Sequence, residues 1–245
     1  MFLVTFLLGR LFGRLITLAL VLLIAGGAGW YFFIREDNKL ATAAPAIPAS
    51  VKGDATAAAG SSAASTNGAN VFKIIPAQSE AAYFAGETLA RVGLPSTAKG
   101  LTKDIDGQFA LTADGLDTTK TTTFTVKLTS LKSNESQRDT RAQGALETSK
   151  FPAATFTATK LTGLPKEFPA GTEVPLQLTG TLDVHGVQKE VTWDVKAKRE
   201  GAGFSALATV KFKFADFNIN RPNLAGFVTV DEDVTLQVQI IAQAG

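Results

Sequence analysis

The sequence predicts an all-β domain of antiparallel strands behind one membrane-spanning helix. Three observations lead to this prediction. Beyond Val71 the apolar residues recur with a period of two, which is typical of half-buried strands. Turn-forming residues divide that region into eight or nine short segments, as in a barrel or a sandwich. Near the N-terminus, Leu15–Ile34 contains no charged residue.

The segment Leu15–Ile34 is long enough to cross a bilayer, because twenty helical residues span about 30 Å. Two arginines precede it, and this excess of positive charge predicts that residues 1–14 are cytoplasmic. The domain that follows is then extracytoplasmic, in the periplasm or at the cell exterior. The small residues 25–29 would also suit a cleaved signal peptide, but the aromatic residues 30–33 extend the apolar run and favour a retained single-pass anchor.

Residues 35–70 are predicted to be a flexible linker. Ala, Ser, Thr, Gly and Pro dominate this stretch, which has almost no large apolar side chain to offset the entropy of ordering. Residues 71–245 remain for the globular domain, and this length is sufficient for one sizeable core.

Several segments of this domain read as strands, and one does not. The polar stretch Glu135–Thr148 is rich in helix-forming residues and predicts a short helical crossover. The clearest strands carry apolar faces formed by Phe124, Val126 and Leu128; by Val191, Trp193 and Val195; by Val210, Phe212 and Phe214; and by Val234, Leu236, Val238 and Ile240. Further strand candidates are Val71–Ile75, Glu80–Phe84, Gly107–Leu111, Thr155–Lys160 and Leu176–Val184.

Composition excludes several classes of function. The formal net charge is +2, and the basic residues of the domain are interleaved with acidic ones, so nucleic acid is not expected as a partner. The chain has no cysteine, which removes thiolate chemistry, and its single histidine, His185, counts against a histidine base, a histidine pair on a metal and a Ser-His-Asp triad. We therefore predict no catalytic residues, no metal and no enzyme activity. His185 is expected to shape a β-turn with Gly186.

Three segments carry a family resemblance. Leu182–Val195 (LDVHGVQKEVTWDV) has a strand, a His-Gly turn and a returning strand; Ser133–Phe156 contains an Arg-Asp pair followed by Phe-Pro-x-x-x-Phe; and Val210–Pro222 ends a strand in Asp-Phe-x-Ile. Over residues 71–245 the chain resembles the YceI-like polyisoprenoid-binding family. It departs from the family pattern at Arg141, where many members have histidine.

The resemblance implies an extended lipocalin-like barrel of about eight strands that encloses a long isoprenoid chain. A polyisoprenoid lipid or quinone is then the expected ligand, bound for carriage, storage or sequestration, and no cofactor is expected. An eight-stranded barrel can also be packed shut, and the sequence leaves both arrangements open. The residues predicted to line the interior are Tyr83, Phe109, Phe124, Val126, Leu128, Phe156, Leu178, Trp193, Phe212 and Phe214.

The polar candidates leave alternatives open. Arg138 and Asp139 form either a structural ion pair that fixes the crossover or a contact with a lipid headgroup, and His185 is a further polar candidate. A packed module that binds another protein is the main rival function. An enzyme acting on a quinone-like head through Asp216, Arg221, Arg138 and Asp139 is disfavoured by composition. A homodimer is compatible with the sequence.

Overall fold

The period-two segments form antiparallel strands, as predicted. In the computed structural model, which describes residues 38–53, 70–89, 94–224 and 228–245, these segments belong to one sheet. The strands are β1 Asn70–Ile74, β2 Glu80–Leu89, β3 Leu94–Thr102, β4 Ile105–Thr112, β5 Gly115–Leu116, β6 Thr123–Lys127, β7 Ala153–Thr162, β8 Val174–Val184, β9 Val187–Glu200, β10 Gly203–Lys213, β11 Asn223–Leu224 and β12 Val228–Ala244.

Eight of these strands close into a barrel, in the order β1-β4-β6-β7-β8-β9-β10-β12 and back to β1. The closing strand β1 pairs Phe72 with Phe109 of β4 on one side and with Ala244 of β12 on the other. The far half of the long strand β12 pairs with β2 instead, and β2 pairs with β3. The sequence missed β3, because its apolar residues do not alternate over its length.

The two ends of the barrel differ in structure. The closed end is where β1, the start of β10 and the end of β12 meet. The open end carries the crossover helix, α2 Ser136–Ala145, which lies within the predicted Glu135–Thr148. It also carries 3₁₀ helices at Leu128–Ser130 and Phe214–Phe217, so Leu128 and Phe214 stand at strand ends and not within strands.

The predicted membrane helix, Leu15–Ile34, lies outside the described residues, as does the cytoplasmic segment 1–14. Within the part of the chain that the structure describes, no helix has both the length and the apolar character needed to span a bilayer. The barrel belongs to a compact unit that runs from Lys39 to Gly245.

The first part of the predicted flexible linker packs against the barrel. Residues 39–53 lie along the outside of β9, β10 and β12, and we call this segment the strap. Its main chain at Ala41 exchanges two hydrogen bonds with the side-chain amide of Gln237, of 2.8 and 3.0 Å. The amide of Ala44 donates to Glu173, and the carbonyl of Ala44 accepts from Lys198. These contacts satisfy main-chain hydrogen-bonding groups of the strap, although the strap does not add a strand to the sheet.

Apolar burial explains why so plain a sequence is ordered. The strap ends in a short helix, α1 Ala49–Lys52, and Ile47 and Val51 pack with Ile241 of β12 into a small cluster outside the barrel. Val51 is only 2% exposed. Gly203 leaves the space that Ile47 occupies, since a Cβ built there would lie 2.6 Å from the Ile47 Cγ2 atom. Composition averaged over residues 35–70 concealed these two side chains.

The strap leads to a stability prediction. We expect Ile47→Ala to lower the free energy of unfolding by about 2 kcal/mol, because it removes buried methyl groups. The matched control is Ser50→Ala in α1, an exposed position that should change stability by less than about 0.5 kcal/mol. Urea unfolding of residues 39–245 measures both. Equal stability of the two variants would show that Ile47 does not pack against the barrel and would favour a flexible linker.

The three segments that carry the family resemblance meet at the open end. His185 and Gly186 form the two-residue turn between β8 and β9, and both have positive φ, 56° and 72°, as such a hairpin requires. The His185 ring packs edge-on against Phe151, with centroids 4.8 Å apart. The Nδ1 atom of His185 lies 3.2 Å from the carbonyl oxygen of Phe217. The Phe217 residue is fully buried. These contacts give the His-Gly turn, Phe151 and Phe217 a packing role in this chain.

Two glycines test this arrangement as a matched pair. Gly186→Ala should destabilise the domain by about 2 kcal/mol, because φ is positive and the new methyl group would lie 2.6 Å from the Phe151 ring. Gly144→Ala in helix α2 meets no atom within 4 Å and should stabilise by about 0.5 kcal/mol. Thermal unfolding distinguishes the two. A neutral Gly186→Ala would show that the turn does not need glycine.

Candidate functional site

The interior of the barrel contains one large cavity of about 440 Å³, among the residues that the structure describes. Its floor is a cluster of aromatic rings at the closed end. Phe72 stacks on Phe109, with centroids 5.1 Å apart, and Phe204 lies 5.4 and 5.0 Å from these two rings. Phe168 covers Phe204 from below, at 6.1 Å. The barrel is thus packed at one end and hollow above it.

The cavity wall is almost entirely apolar. Alternation along each strand directs one side chain in two inward, and the cavity collects these residues from strands all around the ring. All ten residues predicted to line the interior lie on the wall: Tyr83, Phe109, Phe124, Val126, Leu128, Phe156, Leu178, Trp193, Phe212 and Phe214. That a lipid contacts them remains a prediction.

Small residues create the empty space, and the sequence interpretation missed them. The residues predicted to line the interior have large apolar side chains, whereas a cavity forms where the inward-facing side chain is small. A run of alternate alanines on one strand is the signal that would have revealed it. The inward alanines are Ala81 and Ala85 of β2, Ala98 of β3, Ala154 of β7, and Ala206 and Ala208 of β10.

The cavity reaches the surface at the open end, and its charged side chains are gathered there. Between helix α2 and strand β2 it is lined by Glu135, Arg138 and Arg141 on one side and by Glu87 on the other. These are the charged side chains on the wall within the described residues, and the two acidic and two basic groups cancel. The described part of the wall at the mouth therefore has no net charge.

Tyr83 stands inside the mouth. Burial raises the pKa of Tyr83 to about 12, with the Arg138 guanidinium acting in the opposite direction. The phenol is therefore a hydrogen-bond donor throughout the physiological range. Its ring lies over Gly100 on the neighbouring strand, where a Cβ would approach the ring to 2.3 Å. Glycine at this position is what makes room for the tyrosine.

Arg138 and Asp139 do not pair with each other, which corrects one of the two readings that the sequence left open. Consecutive residues on a helix point in directions about 100° apart. Arg138 donates to Glu87, at 3.3 Å, and to Asn134, at 2.7 Å. The buried carboxylate of Asp139 instead accepts two hydrogen bonds from Ser133, both of 2.7 Å. Arg138 therefore faces the mouth, and Asp139 ties the helix to the chain before it.

The other polar candidates lie away from the cavity wall. His185 occupies its turn, with Nε2 3.6 Å from a Glu147 carboxylate oxygen. Asp216 accepts from the main-chain amide of Lys213 and from the side chain of Lys189, and these bonds lower its pKa. Asp216, Arg138 and Asp139 are thus engaged with three different sets of partners and do not form one catalytic cluster.

Comparison with known proteins decides the family. The sequence model of the YceI-like domain matches residues 72–242, nearly the whole barrel. The chain belongs to the YceI-like family. Protein YceI of Escherichia coli O157:H7 is 32% identical over 154 residues, which cover 59% of this chain and 74% of the relative. Protein YceI of Salmonella arizonae is 36% identical over 130 residues, covering 49% of this chain and 62% of the relative.

Two solved structures share the fold of this YceI-like chain. A polyisoprenoid binding domain from Saccharophagus degradans superposes with a TM-score of 0.56, at 17% identity, covering 71% of this chain and 98% of that one. BcnA of Burkholderia cenocepacia gives a TM-score of 0.52 at 18% identity, covering 69% and 99%. At this identity the likeness establishes the barrel alone.

The raised pKa of Tyr83 gives a direct prediction. The chain has two tyrosines, and Tyr83 is the only one in residues 39–245. We expect the ultraviolet absorbance of this fragment to report one phenol ionisation near pH 12. The stability that this shift contributes is fully present below about pH 10 and is lost as the pH rises toward 12. Circular dichroism on the same samples excludes prior unfolding, and a midpoint near pH 10 in folded protein would contradict burial of the ring.

Proposed function

We propose that this YceI-like protein binds the tail of an isoprenoid lipid inside its barrel and leaves the polar head of the lipid at the mouth. The observation that carries the proposal is the apolar cavity, closed by Phe72, Phe109 and Phe204 and open beside helix α2. Its volume falls within the range of ligand sites, about 300 to 1,000 Å³.

Apolar burial supplies the affinity. Each methylene group removed from water contributes about 0.8 kcal/mol, so a few isoprene units suffice for binding without any polar contact. The rigid wall of strands restricts the width of the tail, and the aromatic floor at the closed end limits the length that the cavity can hold. We therefore expect selectivity for slender, branched tails and a limit on the length that is buried.

The mouth favours an uncharged head that accepts hydrogen bonds. Tyr83 offers a protonated hydroxyl, and Arg138 still has guanidinium hydrogens beyond its two bonds. A phosphate or diphosphate needs an excess of positive charge, and the charged residues on the wall sum to zero. A quinone or a phenol fits these groups better than a polyprenyl phosphate does.

The likeness to the Saccharophagus degradans domain supports the ligand class, since that protein is described as polyisoprenoid binding. The cavity itself argues against a packed protein-interaction module, and the separate partners of Asp216, Arg138 and Asp139 argue against an enzyme. Binding for carriage, storage or sequestration is the function that remains.

We further propose that residues 15–34 anchor the protein in the cell membrane as a single pass, with the barrel on the extracytoplasmic side. The order in the strap shortens the tether. Only residues 35–40 separate the proposed anchor from the strap bond at Ala41, instead of the whole of residues 35–70. Carbonate extraction of membranes that carry the full chain or residues 39–245 tests the anchor, and release of both forms would refute it.

Lipid extraction tests the main proposal. Residues 39–245 are purified without detergent, extracted with organic solvent and analysed by mass spectrometry beside a mock purification. We expect an isoprenoid with an uncharged head at close to one molecule per barrel. No lipid in the extract, together with no uptake of added ubiquinone, would leave a packed interaction module as the better account.

A cavity-filling variant links that lipid to the barrel interior. Ala208→Trp places an indole in the cavity and should reduce ubiquinone binding at least about tenfold, because the tail and the ring compete for one volume. Lys211→Trp, on the outer face of the same strand, is the matched control and should bind normally. A ligand partition assay that does not depend on tryptophan fluorescence measures binding by both variants. Equal binding would place the lipid outside the cavity.

A further inference from the structure

We infer that the ion pair between Arg138 and Glu87 is a latch across the cavity mouth and sets the rate at which the lipid enters and leaves. The inference rests on the proposed function and adds to it a control of access. It follows from the way helix α2 is attached to the barrel.

One side of the helix is tied to the chain that precedes it. Asp139 accepts from both the amide and the hydroxyl of Ser133, and the Gln143 side chain donates to the carbonyl of Thr129. That preceding chain is itself paired with the barrel, through two main-chain bonds between Leu101 and Lys132 of 2.8 and 2.9 Å. This side of the helix is the natural hinge.

The opposite side of the helix is held across the mouth by an ion pair with strand β2. Arg138 reaches from the helix to Glu87 of strand β2, with Nη2 3.3 Å from Oε2. Its second bond, to Asn134, stays within its own segment. Among the side-chain hydrogen bonds of the described residues, the bond to Glu87 joins helix α2 to β2 directly.

Apolar packing adds little to this attachment. The helix turns Ala142 and Ala145 toward the cavity, and each methyl group buries only a small area. Leu146 follows the helix at its C-terminal end, where it packs against the barrel core and can stay in place while Arg138 moves. Opening the latch therefore exposes a small apolar surface and widens the mouth by displacing one short helix.

The ion pair is of a strength suited to a latch. The Arg138 side chain is 25% exposed and the Glu87 side chain is 12% exposed, so water competes for both groups. A pair of this kind shifts an equilibrium by about fivefold or less. It breaks and reforms thermally, and a lipid head with an oxygen acceptor can take over the guanidinium while Tyr83 donates from below.

Exchange kinetics test the latch in the full chain, reconstituted in phosphatidylcholine vesicles. Trp30→Phe leaves Trp193, on the cavity wall, as the only tryptophan, and quenching by short-chain ubiquinone then reports entry. We expect Glu87→Gln and Arg138→Gln each to accelerate both uptake and release about twofold to fivefold. The affinity for a headless isoprenoid hydrocarbon should change little, because both rates rise together.

The controls separate a latch from other roles. Lys132→Gln removes a charge from the hinge side, where the Lys132–Asp139 distance is 3.8 Å, and should leave the rates unchanged. The exchanged pair Glu87→Arg with Arg138→Glu should restore slow exchange. The chain has no cysteine, so Glu87→Cys with Arg138→Cys can be joined by a short bismaleimide, which should block exchange.

The outcomes distinguish this inference from the proposed function. Quenching at unchanged rates in both neutral variants would overturn the latch and leave the lipid site intact. A loss of affinity for ubiquinone without faster exchange would make Arg138 a headgroup ligand only. If ubiquinone failed to quench Trp193 in every variant and in the Trp30→Phe protein with the native Arg138–Glu87 pair, the result would count against the proposed function itself.

Discussion

Strand β1 closes the barrel, and the rest of the structure depends on that closure. Its five residues pair with β4 and with the end of β12, which leaves the ring of eight strands without a free edge at this level. The same strand carries Phe72, which is completely buried, stacks on Phe109 and contacts Phe204 in a tilted arrangement. One short segment therefore both completes the hydrogen-bonded wall and fills its closed end.

The division into a packed end and a hollow end is what allows a stable protein to contain a cavity. A cavity costs stability because its lining loses contacts, and the aromatic cluster at the closed end offsets part of that loss. Elsewhere inward alanines such as Ala85 and Ala208 keep the space open. Outside the wall, the strap buries Ile47 and Val51 against β12 and reinforces the barrel without occupying its interior.

The open end combines a packed frame with a weak contact, the ion pair between Arg138 and Glu87. His185, Phe151 and Phe217 come from three distant segments and pack together beside the mouth, so the frame of the opening is fixed. Helix α2, which partly covers the opening, is tied on one side to the chain that precedes it and reaches strand β2 through Arg138 and Glu87. A rigid frame with a weakly held helix is compatible with the proposed exchange of a lipid without unfolding of the wall.

The sequence by itself determined most of the strands but not β3, because alternation such as that of Val191, Trp193 and Val195 reflects the pleat of a half-buried sheet. It also determined the crossover helix and the family resemblance. The tertiary structure decided whether the interior is hollow, since a cavity depends on small and large residues from all strands meeting at one height. It decided as well that residues 39–53 are ordered and that Arg138 pairs with Glu87, 51 residues away in the chain. Local patterns are silent on such contacts, because they arise only when the barrel closes and brings distant segments together.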